Sequence, residues 1–508
     1  MSEQSFSPPS LVLATIGLAL ATFMQVLDTT IANVALPTIS GNLGVSAEQG
    51  TWVITSFAVS NAIALPLTGW LSRRFGQTKL FLASVILFIL MSFLCGISQS
   101  MAQLVIFRAL QGFSAGPLFP MAQTLLLSIY PPAKRGMALA LLSMVTVVAP
   151  VVGPLAGGWI TDNYTWPWIF FINLPIGVFA AILVAFQLKG RPEEIERHPI
   201  DYIGLGLLVV GVGLLQVVLD KGNDLDWFGS NFIVMGTLIS SISLIALVIW
   251  EFTDKHPIIN LRLFRYRNFS FGTLGLVLGY SGFFGINLLL PQWLQTQLGY
   301  TSVWAGMAAA PLGLLPIFLS PLVGRYAHLF DMRLLAGGSF LVIGVSCFMR
   351  ADFNTAVDYY HVAMIQGFMG IGIALFFMPT TTILLSSLEP REIPDGSGLA
   401  TFLRTLGGSF ASSLTIWIWQ RREIYHHAQL VENITPYSQN TQSYIAQLGG
   451  SSQTAMAQLD KLVEGQAYML STIDYFTLLG WIFCSLIFVI FLAKPPFTAR
   501  ADGGGGAH

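Results

Sequence analysis

Asp28 and Arg108 are opposite charges set in stretches that are otherwise apolar. Asp28 falls about two-thirds of the way along residues 11–39, and Arg108 lies just inside the apolar run that opens at Ala102. A charge at bilayer depth costs on the order of 2.5–3.5 kcal/mol on insertion scales, so it is kept where it is paired, protonated or wetted. Desolvation favours a neutral carboxyl, whereas a neighbouring guanidinium favours a carboxylate. A rearrangement that changes either pull loads or releases a proton, which is the chemistry of a proton-coupled site. At ~1.5 Å of rise per residue, counted from Leu36 and from Ala102, the two charges lie ~12 and ~9 Å below the same membrane face. The alternative is a static ion pair that pins two helices, although buried pairs stabilise poorly compared with apolar contacts.

A third charge, Arg404, stands among small residues, Ser397-Gly398 before it and Gly407-Gly408 after it. It either takes part in coupling or gating, together with Gln111 and Gly112, or snorkels to the nearer surface. Ala149, Gly153 and Gly157 are spaced four apart and present a smooth face to a close helix neighbour, with Gly158 adjoining. Pro150 and Pro154 each remove a backbone donor from that helix. The turn from Gly69 to Gly76 carries Arg73 and Arg74, which positive-inside anchoring alone would explain. Gln25, Asn33, Asn61, Gln123 and Asn287 are polar groups within apolar spans. They are candidates to line a substrate path or to make ordinary interhelical hydrogen bonds.

The elements that hold these residues are membrane helices. Of 508 residues, 54% are apolar and 10% charged, against roughly 25% charged in soluble domains. Apolar runs of about 20 residues recur along the chain, so the expected fold class is an all-α polytopic membrane protein with fourteen transmembrane helices. These lie near 11–36, 52–71, 79–98, 102–130, 137–160, 168–188, 201–219, 231–250, 269–294, 303–324, 334–350, 360–386, 397–420 and 472–493. The expected organisation is a six-helix bundle over 1–188, a charged linker over 189–200, and two inserted helices with their connection over 201–268. A second six-helix bundle follows over 269–494, with a long outer loop at 421–471, and then a flexible tail over 495–508. Lys and Arg cluster on alternate connections, which places both termini in the cytoplasm. Lys221, Arg350, Arg421, Arg422 and Lys461 are then the outer cations. Gln111-Gly112 and Gln366-Gly367 each precede a Phe/Pro region, a loose internal repeat that suggests two related halves.

Net charge is −1, which gives no reason to expect nucleic acid as a partner. Cys95, Cys347 and Cys484 sit in apolar runs and look like packing residues, without metal spacing. The seven His fall in loops, at span ends or in the tail, so neither an enzyme's nucleophile–base pair nor a metal centre is visible. No G-x-x-x-x-G-K-[ST] loop occurs, so no cofactor is expected and ATP is not the direct energy source.

The motifs Leu27-Asp28…Asn33-Val34-Ala35-Leu36-Pro37, Arg108-Ala109-Leu110-Gln111-Gly112 and Gly153-Pro154…Gly157-Gly158 resemble those of the drug–proton antiporters of the major facilitator superfamily, in their fourteen-span branch. The likeness extends over nearly the whole chain and is greatest to EmrB-type multidrug efflux pumps of Gram-negative bacteria. It implies proton-driven export of hydrophobic compounds across the inner membrane, with Asp28 and Arg108 in proton coupling. It also implies a periplasmic EmrA-like adaptor and a TolC-like outer-membrane channel as partners. Gly69 to Gly76 resembles the family's loop between spans two and three, but Arg73 stands where an acid is usual, which questions the cytoplasmic latch made there. A narrow transporter of a physiological solute, such as a fatty acid or siderophore, is the alternative. In the outer segment, residues 451–464 read as a helix capped by Ser451 or Ser452, with Met456, Leu459 and Val463 on one face. That face either folds back on the bundle or docks the adaptor.

Overall fold

The computed structural model describes residues 8–497, apart from 194, 196–198, 200, 255–256, 433, 436 and 448–451. Among the described residues there is helix and no strand. Hydrocarbon supplies no partner for a backbone amide, so a spanning segment must bond within itself. In chain order the principal helices are α1 (Leu11–Asn42), α2 (Trp52–Phe75), α3 (Gln77–Gly96), α4 (Met101–Ala115), α5 (Leu118–Ile129), α6 (Arg135–Asn163) and α7 (Asn173–Gln187). Then come α8 (Tyr202–Lys221), α9 (Asn231–Thr253), α10 (Arg267–Thr296), α11 (Pro311–Tyr326), α12 (Met332–Ala351), α13 (Tyr359–Ala374), α14 (Phe377–Leu385), α15 (Ile393–Glu432) and α16 (Ser452–Phe491). Local chemistry sets several of the ends. Ser10 accepts from Leu13 N, Ser100 from Gln103 N and Asp201 from Gly204 N, each an N-cap. Gly76, at φ +90°, lets the chain turn out of α2 and straight into α3.

Twelve helical segments among the described residues are long and apolar enough to cross a membrane. The stretch holding Arg108 is not among them, because the helix breaks between Ala115 and Leu118 into two shorter pieces. Nor is α15, where Gly, Ser, Thr, Asp395 and Arg404 dilute the apolar residues.

The first half packs α1 between α6 and α7, with α4 against α2 and α3; the second packs α12 on α16, α10 on α15 and α11 on α13. The halves meet where α15 crosses α2 and α5, and where α6 meets α11 and α14. Helix α9 packs on α8 and exposes Leu238, Ile242, Ile245 and Ile249, a surface suited to lipid. Helix α8 reaches both halves, packing on α2 and on α15.

The structure corrects three expectations. Arg350 and Lys221 are not loop cations: they are 0% and 4% exposed, at the ends of α12 and α8. Residues 421–471 are not a loop with a separate helix. Helices α15 and α16 have 40 residues each, about 60 Å at ~1.5 Å per residue, twice a bilayer's ~30 Å hydrocarbon core. Each runs on beyond its apolar part, and the short helix Gln439–Gln447 lies between them. The stripe near 456 is also displaced. Ala455, Val463 and Ala467 are buried, whereas Met456 is exposed. Arg422 and His426 of α15 meet Asp474 of α16 at 2.5 and 2.7 Å, so the extensions partner each other. The proposed cap Ser451 and the tail from 498 onward lie outside the described residues.

Candidate functional site

Asp28 is 0% exposed, and side chains of two other helices hold it. Arg108 of α4 places Nη1 at 2.5 Å from Asp28 Oδ2. Gln111, one turn further along α4, donates Nε2 to Asp28 Oδ1 at 3.1 Å. Asn173, at the start of α7, donates Nδ2 to the same Oδ1 at 2.7 Å and to Ser92 Oγ of α3 at 3.0 Å. The guanidinium is itself fixed. Its Nε donates to Val53 O, its Nη1 donates also to Gln111 Oε1, and it lies 4.3 Å from the centre of the Phe57 ring and 5.5 Å from that of Phe170. A carboxylate with one guanidinium and two amide donors is well satisfied in low dielectric. Three donors from α4 and α7 thus address one carboxylate on α1.

Asn173, Ser92 and Phe57 were not singled out from the sequence. Asn173 meets the criterion that selected Asn61, an amide in an apolar span, but nothing in the sequence placed it beside Asp28.

The small face of α6 abuts α1 at the turn after Asp28. A methyl group on Gly157 would lie 2.9 Å from Ile31 Cγ1 and 3.0 Å from Ile31 O, and one on Gly153 would collide with Thr30 Oγ1. Gly158 looks outward, with Val34 4.0 Å away, and Pro154 is exposed. Despite its two prolines, α6 is unbroken. Gly112 faces α2, where added bulk would strike Phe57 O and Ser60.

Arg404 does not snorkel. It is 9% exposed and lines a small cavity between the halves, with Phe119, Gln123, Phe377, Thr381 and Thr401. Gln123 Oε1 accepts from Ser397 Oγ, a bond from α5 to α15. Of the other lining candidates, Asn61 is buried, Gln25 is half-buried, Asn287 bonds back to Phe283 O of its own helix, and Asn33 is exposed.

The expected turn at 69–76 is helix as far as Phe75, and Arg73, in the last turn of α2, finds its acid on the other half. Its Nη1 lies 2.5 Å from both carboxylate oxygens of Asp395 on α15. Gly69 permits this approach, since any side chain there would meet Asp395 Oδ1. Gly76 likewise makes room for Glu193, whose Oε1 accepts from Thr78 N at 2.6 Å. Arg74 stands one residue after Arg73, in the last turn of α2.

The second half also buries an arginine on a glutamine, with different partners. In the first half Cys95 Sγ contacts Gln111 Oε1 at 3.6 Å; in the second, Arg350 Nη2 donates to Gln366 Oε1 at 2.5 Å, across the same sixteen-residue separation. Arg350 also bonds Ser346 O.

The Major Facilitator Superfamily model matches residues 18–412. The multidrug export protein EmrB of Escherichia coli K12 is 50% identical over 502 residues, covering 98% of each chain. The fatty acid resistance protein FarB of Neisseria gonorrhoeae is 47% identical, again covering 98% of each. Among solved structures, the human organic anion transporter MFSD10 superposes with a TM-score of 0.60 at 13% identity, covering 95% of this chain and 100% of its own.

Proposed function

The chain belongs to the major facilitator superfamily, and we propose that it is a multidrug exporter that uses the proton gradient. The observation that carries the coupling is Asp28, which is fully buried, titratable, and held by Arg108, Gln111 and Asn173 from two other helices. In this reading substrate efflux and proton entry use one carrier in turn: protonating Asp28 frees Arg108, relaxes α4 and α7 against α1, and favours the other access state. The close contact of α6 with α1 transmits that change to the interface with α11.

The reading has fourteen spans. The broken pair α4–α5 and the polar α15 join the twelve apolar segments, because each packs inside the bundle against neighbouring helices. The chain sits in the inner membrane with both termini in the cytoplasm, which puts the Arg73–Asp395 end on the cytoplasmic side and the extensions of α15 and α16 in the periplasm. Those extensions expose Ile424, Tyr425, Val431, Met456 and Leu462, and this supports docking of a periplasmic adaptor that leads to an outer-membrane channel. The relative named for fatty acid resistance favours a second reading, in which the physiological cargo is a fatty acid.

The test is transport in proteoliposomes with an imposed pH gradient and a panel of hydrophobic acids, neutral compounds and cations. Gradient-dependent movement of several of them, collapsed by an ionophore, is expected. Movement that ignores the gradient refutes proton coupling.

A further inference from the structure

Arg404 is the one arginine inside the bundle for which no described residue supplies a hydrogen bond or an ion pair. Arg108 has Asp28 and Arg350 has Ser346 O and Gln366, whereas the Arg404 guanidinium has only rings, Phe119 at 4.5 Å and Tyr280 at 5.1 Å to their centres. Phe119 belongs to the first half and Tyr280 to the second, so the cation sits in the seam that alternating access must open. Ring faces attract a cation, but they accept little from five N–H donors. An unpaired guanidinium at this depth is costly, and the surrounding face of α15 is otherwise small and uncharged: Ser397, Ala400, Thr401, Gly407 and Gly408. The cavity beside it has no acidic lining. Its polar lining is Gln123, Ser143, Thr381 and Thr401, and its apolar walls include Phe119, Phe377, Leu276 and Leu384.

We propose that Arg404 is the head-group site of the substrate path, taking the carboxylate or sulfonate of an amphiphilic anion while the aromatic and aliphatic walls take its apolar tail. A planar fork of donors matches a two-oxygen anion, and ligand charge would replace the counter-ion that the protein omits. A lipophilic cation meets an uncompensated like charge there, so the site favours anions over cations by repulsion as well as attraction. The inference rests on the exporter reading for its cargo but not for its binding.

The test uses the full chain and two probes that differ only in charge, 11-(dansylamino)undecanoate and its methyl ester, with binding followed by dansyl fluorescence of detergent-purified protein. Arg404→Gln should weaken carboxylate binding about tenfold and leave ester binding within about twofold, while Arg404→Lys should retain part of the carboxylate affinity. Preserved ester binding also reports that the variant is folded. Equal loss of both probes, or no change in either, overturns the assignment. Transport separates this inference from the broader one. Arg404-dependent binding without gradient-driven efflux keeps the site and removes the exporter reading. Gradient-driven efflux with carboxylate binding indifferent to Arg404→Gln does the reverse.

Discussion

At the scale of the residue, the Asp28 cluster makes unequal demands on its members. Asp28→Asn keeps the shape but leaves Arg108 buried without its anion, an arrangement that costs about 3–5 kcal/mol. The variant should insert but melt at lower temperature in detergent, and it should lose gradient-driven efflux entirely, read as the difference in proteoliposome flux with and without ΔpH. Efflux at the normal rate would remove Asp28 from the proton path. Arg108→Lys should be intermediate. An ammonium can reach Asp28 Oδ2 but cannot also serve Val53 O and Gln111 Oε1 in the plane that the guanidinium fills. A tenfold or greater loss of flux is expected, against complete loss in Arg108→Ala. The two charges were legible in the sequence because lipid makes charge rare. Asn173 and Ser92 were not, since amides and hydroxyls in spans are commonplace and their partners are set only by packing α3 and α7 against α1.

At the scale of the element, sequence and structure agree where composition changes sharply and part where it changes gradually. The face Ala149, Gly153 and Gly157 was readable because four-residue spacing of small groups has one geometric use. It is spent on α1, the helix that carries Asp28. Gly157→Leu should therefore abolish transport, since its side chain has to displace Ile31, while Gly158→Leu one residue later should retain at least about half the flux because only Val34 is near. Comparable losses in both would mean that α6 works through its flexibility, not through that contact. The ends of α15 and α16 were misread for the opposite reason. Hydropathy falls near 421 and recovers near 471, but the helix goes on through the fall, because the two extensions bury Ala455, Val463 and Ala467 and join at Asp474. A hydropathy boundary marks where lipid stops, and helix continues wherever a neighbouring helix replaces lipid.

At the scale of the molecule, the halves are tied at both ends of α2, by different means. At one end Arg73 grips Asp395. At the other, Lys221 of α8 donates to Thr51 at 2.5 Å beside the start of α2, while Gln216 donates to Ser409 of α15 at 2.9 Å and Asn223 to Ser413 O. Helix α8 and the turn after it thus bridge the halves at the end opposite the ion pair, and a rocking carrier that opens one end keeps the other. Arg73 made a latch look doubtful from sequence because it stands where an acid is usual. The acid lies in the other half, 322 residues away, and only the folded interface reveals it. Arg73 is 28% exposed, so the pair is partly screened and contributes about 1 kcal/mol, a factor of roughly five in the ratio of closed to open states. Asp395→Asn should raise the open population by about that factor, measured as the distance distribution between spin labels on the facing ends of α2 and α15. The exchanged pair Arg73→Asp with Asp395→Arg should return most of the closed state, since the guanidinium then reaches across from α15. If the exchange fails and Asp395→Asn leaves the distribution unchanged, this end is held by the apolar meeting of α6 with α11, where Gly324 lies against Met137 and Ala140, and the ion pair only decorates it.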